Sequence, residues 1–512
     1  MVLKVLPPSN CNNRNNRAIC LIISLLILMC GCTGKYFREA AQPLPHVVYS
    51  DASDLPYTEY WTGIVFNGSK IGFSHQKILP SQETAGRFDI HSGAALRLRF
   101  LMFDKHINMQ SYDQVATDLS IQQFSYEYDF DGSKMKLIGQ LLDDVLEVEI
   151  ITRGNVSSQR FALEDKIYPL SVINLYPVIH GLEVGQAYAY QVYDGETQTI
   201  STVNQEILAY EESDLFEGAA FKMQTRLHGQ EVTTWIDPSG RPVLEMSLGG
   251  VIISALENEK TAVQYLTQAA LNKEDVLLNF SLIKSNMSIP DPDQISFLKV
   301  ALSGFDKTFD MPVDKRQDCE PLGAELICRI DSSAPVGTGR ADISTNPTLR
   351  RYLLPSYIIP SHNQRIRQTA FEIVKDTGDI KRRIELLLEW IRNHIEQKPV
   401  DVITAMDVLE GKQAECQGHT YLYAAFARAL GIPTKVANGI VYTAEFQGFL
   451  YHTWAESLVN GHWIAIDPTF YQMPADATHI KLVEGEHPSE LLPLVNFIGK
   501  IKLRVIAAEP TP

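Results

Sequence analysis

The sequence predicts an α+β protein. An N-terminal antiparallel β-rich domain is followed by a core in which a cysteine-bearing helix packs on an antiparallel sheet bearing a histidine and an aspartate. Three observations predict this. Between residues 53 and 275, short segments alternate apolar and polar side chains and are cut by Gly, Asn and Pro turns, the two-residue period of half-buried strands. After residue 347, apolar residues recur three and four apart, as one face of a helix requires. A helix–strand–strand pattern then carries Cys416, His452 and Asp467 in that order. A chain of 512 residues has room for about two to four domains. The net charge of −16, with no Lys/Arg cluster, argues against a nucleic-acid partner.

The first element is a targeting segment. Lys4, Arg14 and Arg17 precede the apolar run Ala18–Met29, which is shorter than the about 20 residues that span a bilayer. Apolar run, Gly31, then Cys32 resembles a bacterial lipoprotein processing site. Residues 1–31 thus read as a lipoprotein-type signal peptide with Cys32 as the acylated residue. Ordinary signal cleavage and an uncleaved anchor are the other readings of the same residues. All three place the bulk of the chain outside the cytoplasm. Lipidation would hold it on the periplasmic side of the cell envelope, and Thr33 after Cys32 resembles lipoproteins sorted to the outer membrane. Residues 32–52, with Pro43 and Pro45 in mixed polar sequence, read as a tether.

Residues 53–275 read as the β-rich domain. Trp61–Val65 and Lys70–Phe73 flank Asn67-Gly68, a hairpin signature. Segments 95–103, 122–130, 136–141, 145–152, 188–192 and 232–236 read as further strands, with turns at Asp131-Gly132, Asp194-Gly195 and 238–240. Many short strands with little helix predict a curved sheet or open barrel. The runs WTGIVFNGSKIGF and TWIDPSGRPV loosely resemble extracytoplasmic β domains of bacterial envelope proteins.

Residues 276–346 read as a smaller β segment. Lys315–Cys319 and Leu326–Ile330 flank Pro321-Leu322-Gly323, a turn signal. In an oxidising compartment, Cys319 and Cys328 are expected to close this hairpin as a disulfide. Cys416 is then the odd cysteine, and an unpaired thiol in an exported protein calls for a reason.

The last element, residues 347–512, begins with amphipathic helices at 363–376 and 379–397. A third covers 417–430, ended by Gly431 and Pro433. Cys416 falls at its start, where free backbone N–H groups and the helix dipole favour a thiolate. Further on, Asn460-Gly461 sets a two-residue hairpin. Val459 then pairs with His462, and paired positions sum to 921. His452 and Asp467 consequently share a sheet face one diagonal apart, within reach of each other. A thiol, an imidazole to take its proton and a carboxylate to fix the imidazole make an acyl-transfer constellation.

The segments Cys416 to Ala429-Leu430-Gly431-Ile432-Pro433, Asn438–Tyr442, His452-Thr453-Trp454-Ala455-Glu456 and Trp463 to Asp467-Pro468-Thr469 resemble the papain-like core of the transglutaminase-like superfamily over about residues 347–485. Asp476–Ile480 also resembles a stretch that recurs in bacterial members. Ala414 before Glu415 departs from the Gly that bacterial members often carry. The resemblance implies Cys416 as nucleophile, His452 as base and Asp467 as orienting carboxylate, with no cofactor and no metal. It places no oxyanion side chain, for which Gln413 is a candidate. His419, Trp454, Trp463 and Glu456 read as structural residues.

The function implied is an exported cysteine enzyme acting on amide bonds through a thioester. Its activity would be that of a peptidase, an amidase or a transglutaminase, with envelope proteins or peptides as substrates. The alternative is a non-catalytic envelope protein whose β domain holds a lipid or protein partner. Oligomeric state is not legible in the sequence.

Overall fold

In the computed structural model, a single sheet of sixteen strands organises the N-terminal half. The structure describes residues 36–510 apart from 42–43, 46, 48, 101–102, 154, 270–275, 306–308, 333–345 and 496–497. The signal segment, Cys32 and part of the tether lie outside the described residues. Among the described residues, no helix is long and apolar enough to cross a membrane.

The large sheet is built from two meanders. One runs through eight strands from Glu59–Phe66 to Asn155–Ala162, the other through seven from Ile167–Pro169 to Ile252–Glu257. Ile252–Glu257 pairs with Glu59–Phe66 and so joins the last strand of the second meander to the first strand of the first. Neighbours on the path are antiparallel, except that Ile167–Pro169 runs parallel to Ala187–Asp194. Phe37–Glu39 adds to the end of Thr199–Ser213. Tight turns set the register. Asn67-Gly68, Asp131-Gly132 and His228-Gly229 each place two successive residues at positive φ, the type I′ geometry that matches strand twist.

Apolar residues of both meanders, such as Ile90, Val115, Val203 and Phe221, meet in one buried cluster with Val172 and Val178. The sheet therefore curls around the segment that includes the short helix Tyr176–His180. An open pocket of about 240 Å³, lined by polar and apolar side chains, lies beside it, against Gln76, Met109, Asp113, Tyr126 and Glu196.

Residues 95–103 are not a single strand, because Arg87–Phe100 turns back into Phe103–Ala116, with Phe100 opposite Phe103. Apolar residues continue through the corner, so periodicity alone hides the reversal. The polar strand Thr199–Ser213 was hidden for the opposite reason, carrying little apolar signal along its first half.

The second sheet has the order Ile283–Lys284, Gly448–Val459, Thr434–Thr443, Ile480–Glu484, with His462–Ile466 on the far end of Gly448–Val459. The helix Cys416–Ala429 packs on its two central strands. The third sheet joins Gln317–Leu322, Glu325–Asp331, Ile295–Ser303 and Lys502–Pro510. A boundary at residue 346 therefore does not separate these two sheets along the chain. Ile283–Lys284 crosses into the second, and the C-terminal strand returns to the third. Residues 276–281 are helix rather than strand. Long-range strand pairing of this kind leaves no local trace in a sequence.

Residues of the large sheet, including Phe124, Leu137 and Val148, share one buried cluster with Ile366, Leu387 and Phe426 of the helices. The sheet and the helical core are thus packed as one body of apolar contacts.

Candidate active site

Local sequence fixes where Cys416 sits. Thr404 and Asp407 form a reciprocal capping box that starts the helix Ala405–Gly411. Lys412 then takes a left-handed conformation and ends it. Gln413-Ala414 pairs with Glu396-Gln397, and Glu415 caps the next helix with no side-chain hydrogen bond to it. Cys416 is the first helical residue, half-buried and free. No capping side chain occupies the start of this helix, so its first N–H groups and the positive end of its dipole are left without a side-chain partner. Gly418 permits the close approach of this turn. A Cβ there would lie 2.6 Å from Val402 and 2.7 Å from Ala414.

Hydrogen bonds lash the helix to the strand that carries His452. Thr420 Oγ1 donates to the carbonyl of Thr453 at 3.0 Å, and the Tyr423 and Ser457 hydroxyls are 2.9 Å apart. The structure brings Cys416, His452 and Asp467 together. Nε2 of His452 donates to Oδ2 of Asp467 at 2.7 Å, and the Cys416 side chain lies near enough to the ring to act on its charge. Asp467 is buried, and its Oδ1 accepts the N–H groups of Thr469 (2.7 Å) and Phe470 (3.0 Å). Phe470 stacks on the His452 ring at 4.9 Å.

Electrostatics follow from this packing. Burial disfavours the His452 imidazolium, but the Asp467 carboxylate and the Cys416 sulfur outweigh it and raise the pKa to about 9. Burial would push Asp467 up, yet His452 and His479 hold it far below the carboxylate range. Between pH 5 and 8 the group thus holds a carboxylate and a protonated ring next to the Cys416 sulfur, a set able to pass a proton to a leaving group.

His419 is buried, with Nδ1 2.8 Å from the Glu415 carbonyl. Burial lowers its pKa, which keeps it neutral. Trp454 is fully buried and Trp463 packs edge-on to Tyr352. Glu456 binds Lys435 at 2.8 Å and Lys481 at 3.0 Å. The amide of Gln413 is taken by Glu396 at 3.2 Å. Cys319 and Cys328 face each other across their hairpin and are joined by a disulfide.

One residue of the site carries no assignment from sequence. His479 Nε2 lies 2.9 Å from the same Asp467 oxygen that holds His452. The only signal was the resemblance of the stretch around it. His452, Asp467 and His479 bring ligand-type atoms within 4.8 Å of one another, but those atoms are already joined by hydrogen bonds in a buried setting. The other acidic group of this kind, Asp314, Glu456 and Glu484, is filled by the Lys481 ammonium at 2.6–3.0 Å.

The large sheet reaches toward the site. Lys105 Nζ lies 2.9 Å from Asp401, and the Asp401 N–H donates to Asp131 at 3.3 Å. A groove of about 420 Å³ runs here between His106, Asn108, Asp129 and Asp131 on the sheet and Pro399-Val400.

Residues 367–468, a span that contains Cys416, His452 and Asp467, match the model of the transglutaminase-like superfamily. No curated protein matches the chain. Among solved structures, the chain is similar to a candidate cysteine protease from Cytophaga hutchinsonii (14% identity, 43% of this chain and 89% of that one, TM-score 0.28). It is similar to the periplasmic domain of TgpA from Pseudomonas aeruginosa (17% identity, 37% and 87%, TM-score 0.25). A third likeness is to a β-barrel-like protein of a domain of unknown function from Brucella abortus (8% identity, 39% and 95%, TM-score 0.31). With the match spanning the helix of Cys416 and the strands of His452 and Asp467, residues 367–468 of this chain form a domain of the transglutaminase-like superfamily.

Proposed function

We propose that this protein is an exported cysteine acyl-transfer enzyme that acts on amide bonds of proteins or peptides in the cell envelope. The observation that carries the reading is the placement of His452 between Cys416 and Asp467. The Cys416 sulfur, having given its proton to His452, attacks the amide carbonyl carbon. The backbone N–H groups at the open helix start stabilise the oxyanion. His452 returns the proton to the departing amine or ammonia, and a thioester forms. Water or an amine, deprotonated by His452, then attacks the thioester and frees Cys416. Asp467 stays ionised throughout and keeps the ring in one tautomer. Hydrolysis is the favoured outcome over transamidation, and the substrates are envelope proteins or peptides. Export is supported by the targeting segment and the Cys319–Cys328 disulfide, and Cys32 is the proposed lipid anchor.

The test is the rate of iodoacetamide alkylation of Cys416 from pH 5 to 10. The expected result is rapid labelling below pH 7 that is lost in His452→Ala. Slow labelling in both proteins, rising only above about pH 8 as for an ordinary thiol, would overturn the enzyme reading. A second reading, a binding role for the β domain, draws on the open pocket of about 240 Å³ on the large sheet. A protein inert to alkylation would favour it.

A further inference from the structure

We infer that His479 is a positioning residue for this chemistry, holding Asp467 by sharing the oxygen that orients His452 and being held in turn by Asp476 and Arg316. The inference rests on the acyl-transfer reading above.

A carboxylate offers about four lone-pair positions. Asp467 fills them with the N–H groups of Thr469 and Phe470 on Oδ1 and the two imidazoles on Oδ2. Its rotamer is thereby fixed from both sides. Without His479, the buried oxygen would lose one partner and the ring of His452 would lose its fixed acceptor.

His479 is itself locked. It is fully buried, and its Nδ1 faces the carbonyl (3.2 Å) and Oδ1 (3.3 Å) of Asp476. Both nitrogens therefore face acceptors only, which requires a proton on each. The ring is an imidazolium between two aspartates. Burial opposes that charge, but Asp476 and Asp467 outweigh it and raise its pKa to about 9. Asp476 is fixed by Gln472 (2.8 Å) and by the Thr478 N–H (2.8 Å) and hydroxyl (2.6 Å). From just ahead of the strand Gln317–Leu322, the half-buried Arg316 donates to the carbonyls of His479 (3.1 Å), Ala475 (3.3 Å) and Asp476.

The groups that face His479 are thus Asp467, Asp476, the His452 ring at 5.7 Å, the Trp454 and Phe470 rings, and the Arg316 charge behind its backbone. The consequence for chemistry has a sign. A positive His479 shares the negative charge of Asp467 and so weakens the hold of Asp467 on the His452 proton. A neutral residue there would tighten that hold, and His452 would release its proton only at higher pH.

The experiment uses the full chain. Its first arm is the pH profile of Cys416 alkylation in the parent and in His479→Gln, a neutral replacement able to donate one hydrogen bond. The upper inflection of the profile, where His452 deprotonates, is expected to move up by on the order of one unit, with the circular dichroism spectrum unchanged. A purely structural role would scale the rate without moving the inflection, and coincident inflections would overturn the inference. The second arm needs no variant to fold. Nitrogen-15 spectra of the parent at pH 7 are expected to show His479 with both ring nitrogens protonated, and a neutral ring would overturn the inference independently. If the parent shows no His452-dependent labelling, the enzyme reading fails and the positioning role falls with it. A shared failure of that kind is distinct from coincident inflections in a protein whose labelling does depend on His452.

Discussion

Lys105 on the large sheet and Asp401 on the segment that leads to the Cys416 helix form an ion pair at 2.9 Å. Asp131 and Glu415, the residue before Cys416, share this neighbourhood. Burial raises Glu415 to about pH 7, Asp401 adds to the shift, and Lys105 opposes it. One cation thus balances acidic groups on both sides of the contact.

Lys105→Met is expected to destabilise the protein by about 1–3 kcal/mol. The sign with pH follows from Glu415. A carboxyl whose folded pKa is raised costs stability as pH rises from its unfolded value through about 7. Loss of Lys105 increases that cost, so the deficit should be larger at pH 8 than at pH 5.5 by urea unfolding. Equal deficits at the two pH values would refute the electrostatic account.

His452 and His479 are both raised from 6.5 to about 9. A raised histidine contributes stability that is fully present below about pH 6.5 and is lost as pH rises through the folded value. Urea midpoints should therefore fall between pH 7 and 10, and fall less in His452→Ala. Asp467, Asp476, Glu484 and Glu486 are held below their usual values by their partners, against burial. Their contribution is lost as pH falls below about 4. A midpoint flat from pH 7 to 10 would contradict the histidine assignment.

Gly439 stands opposite His452 on one side and Lys481 on the other. A Cβ there would lie 2.0 Å from the carbonyl oxygen of Ile480, a backbone atom next to His479. Gly439→Ala must part the two strands, and a cost of at least about 1–3 kcal/mol is expected. The melting temperature measures it, and an unchanged value would show that the strands yield freely.

Replacing both Cys319 and Cys328 with serine opens a loop with a sequence separation of 9. The expected loss is about 2–3 kcal/mol, read from urea unfolding. Cys416 alkylation at pH 7 in the folded protein should be unchanged. Slower labelling would instead mean that the hairpin transmits its position through Arg316.

Much of the site was legible because its parts are local. The Asn460-Gly461 turn sets a register in which Val459 pairs with His462 and Ala455 with Ile466, the same pairs that the structure contains. A Gly-Ile-Pro sequence marks the end of a helix whose start is Cys416. In the large sheet, turns with Asn-Gly and Asp-Gly were readable, because few other dipeptides adopt two successive positive φ values. The corner at 100–103 was not, since its apolar run continues across the reversal.

The sequence by itself determined the order of elements, the turns that set strand registers, and the residue types gathered as Cys416, His452 and Asp467, because each depends on neighbours a few residues away. The tertiary structure alone decided that His479 shares an oxygen with His452, that Arg316, just ahead of a strand of another sheet, grips the loop of His479, that the C-terminal strand returns to Ile295–Ser303, and that Lys105 answers Asp401 across the chain. These partners are 12 to 296 residues apart. Their meeting depends on how buried surfaces pack and on the demand that every buried charge find a partner, neither of which is written in any one segment.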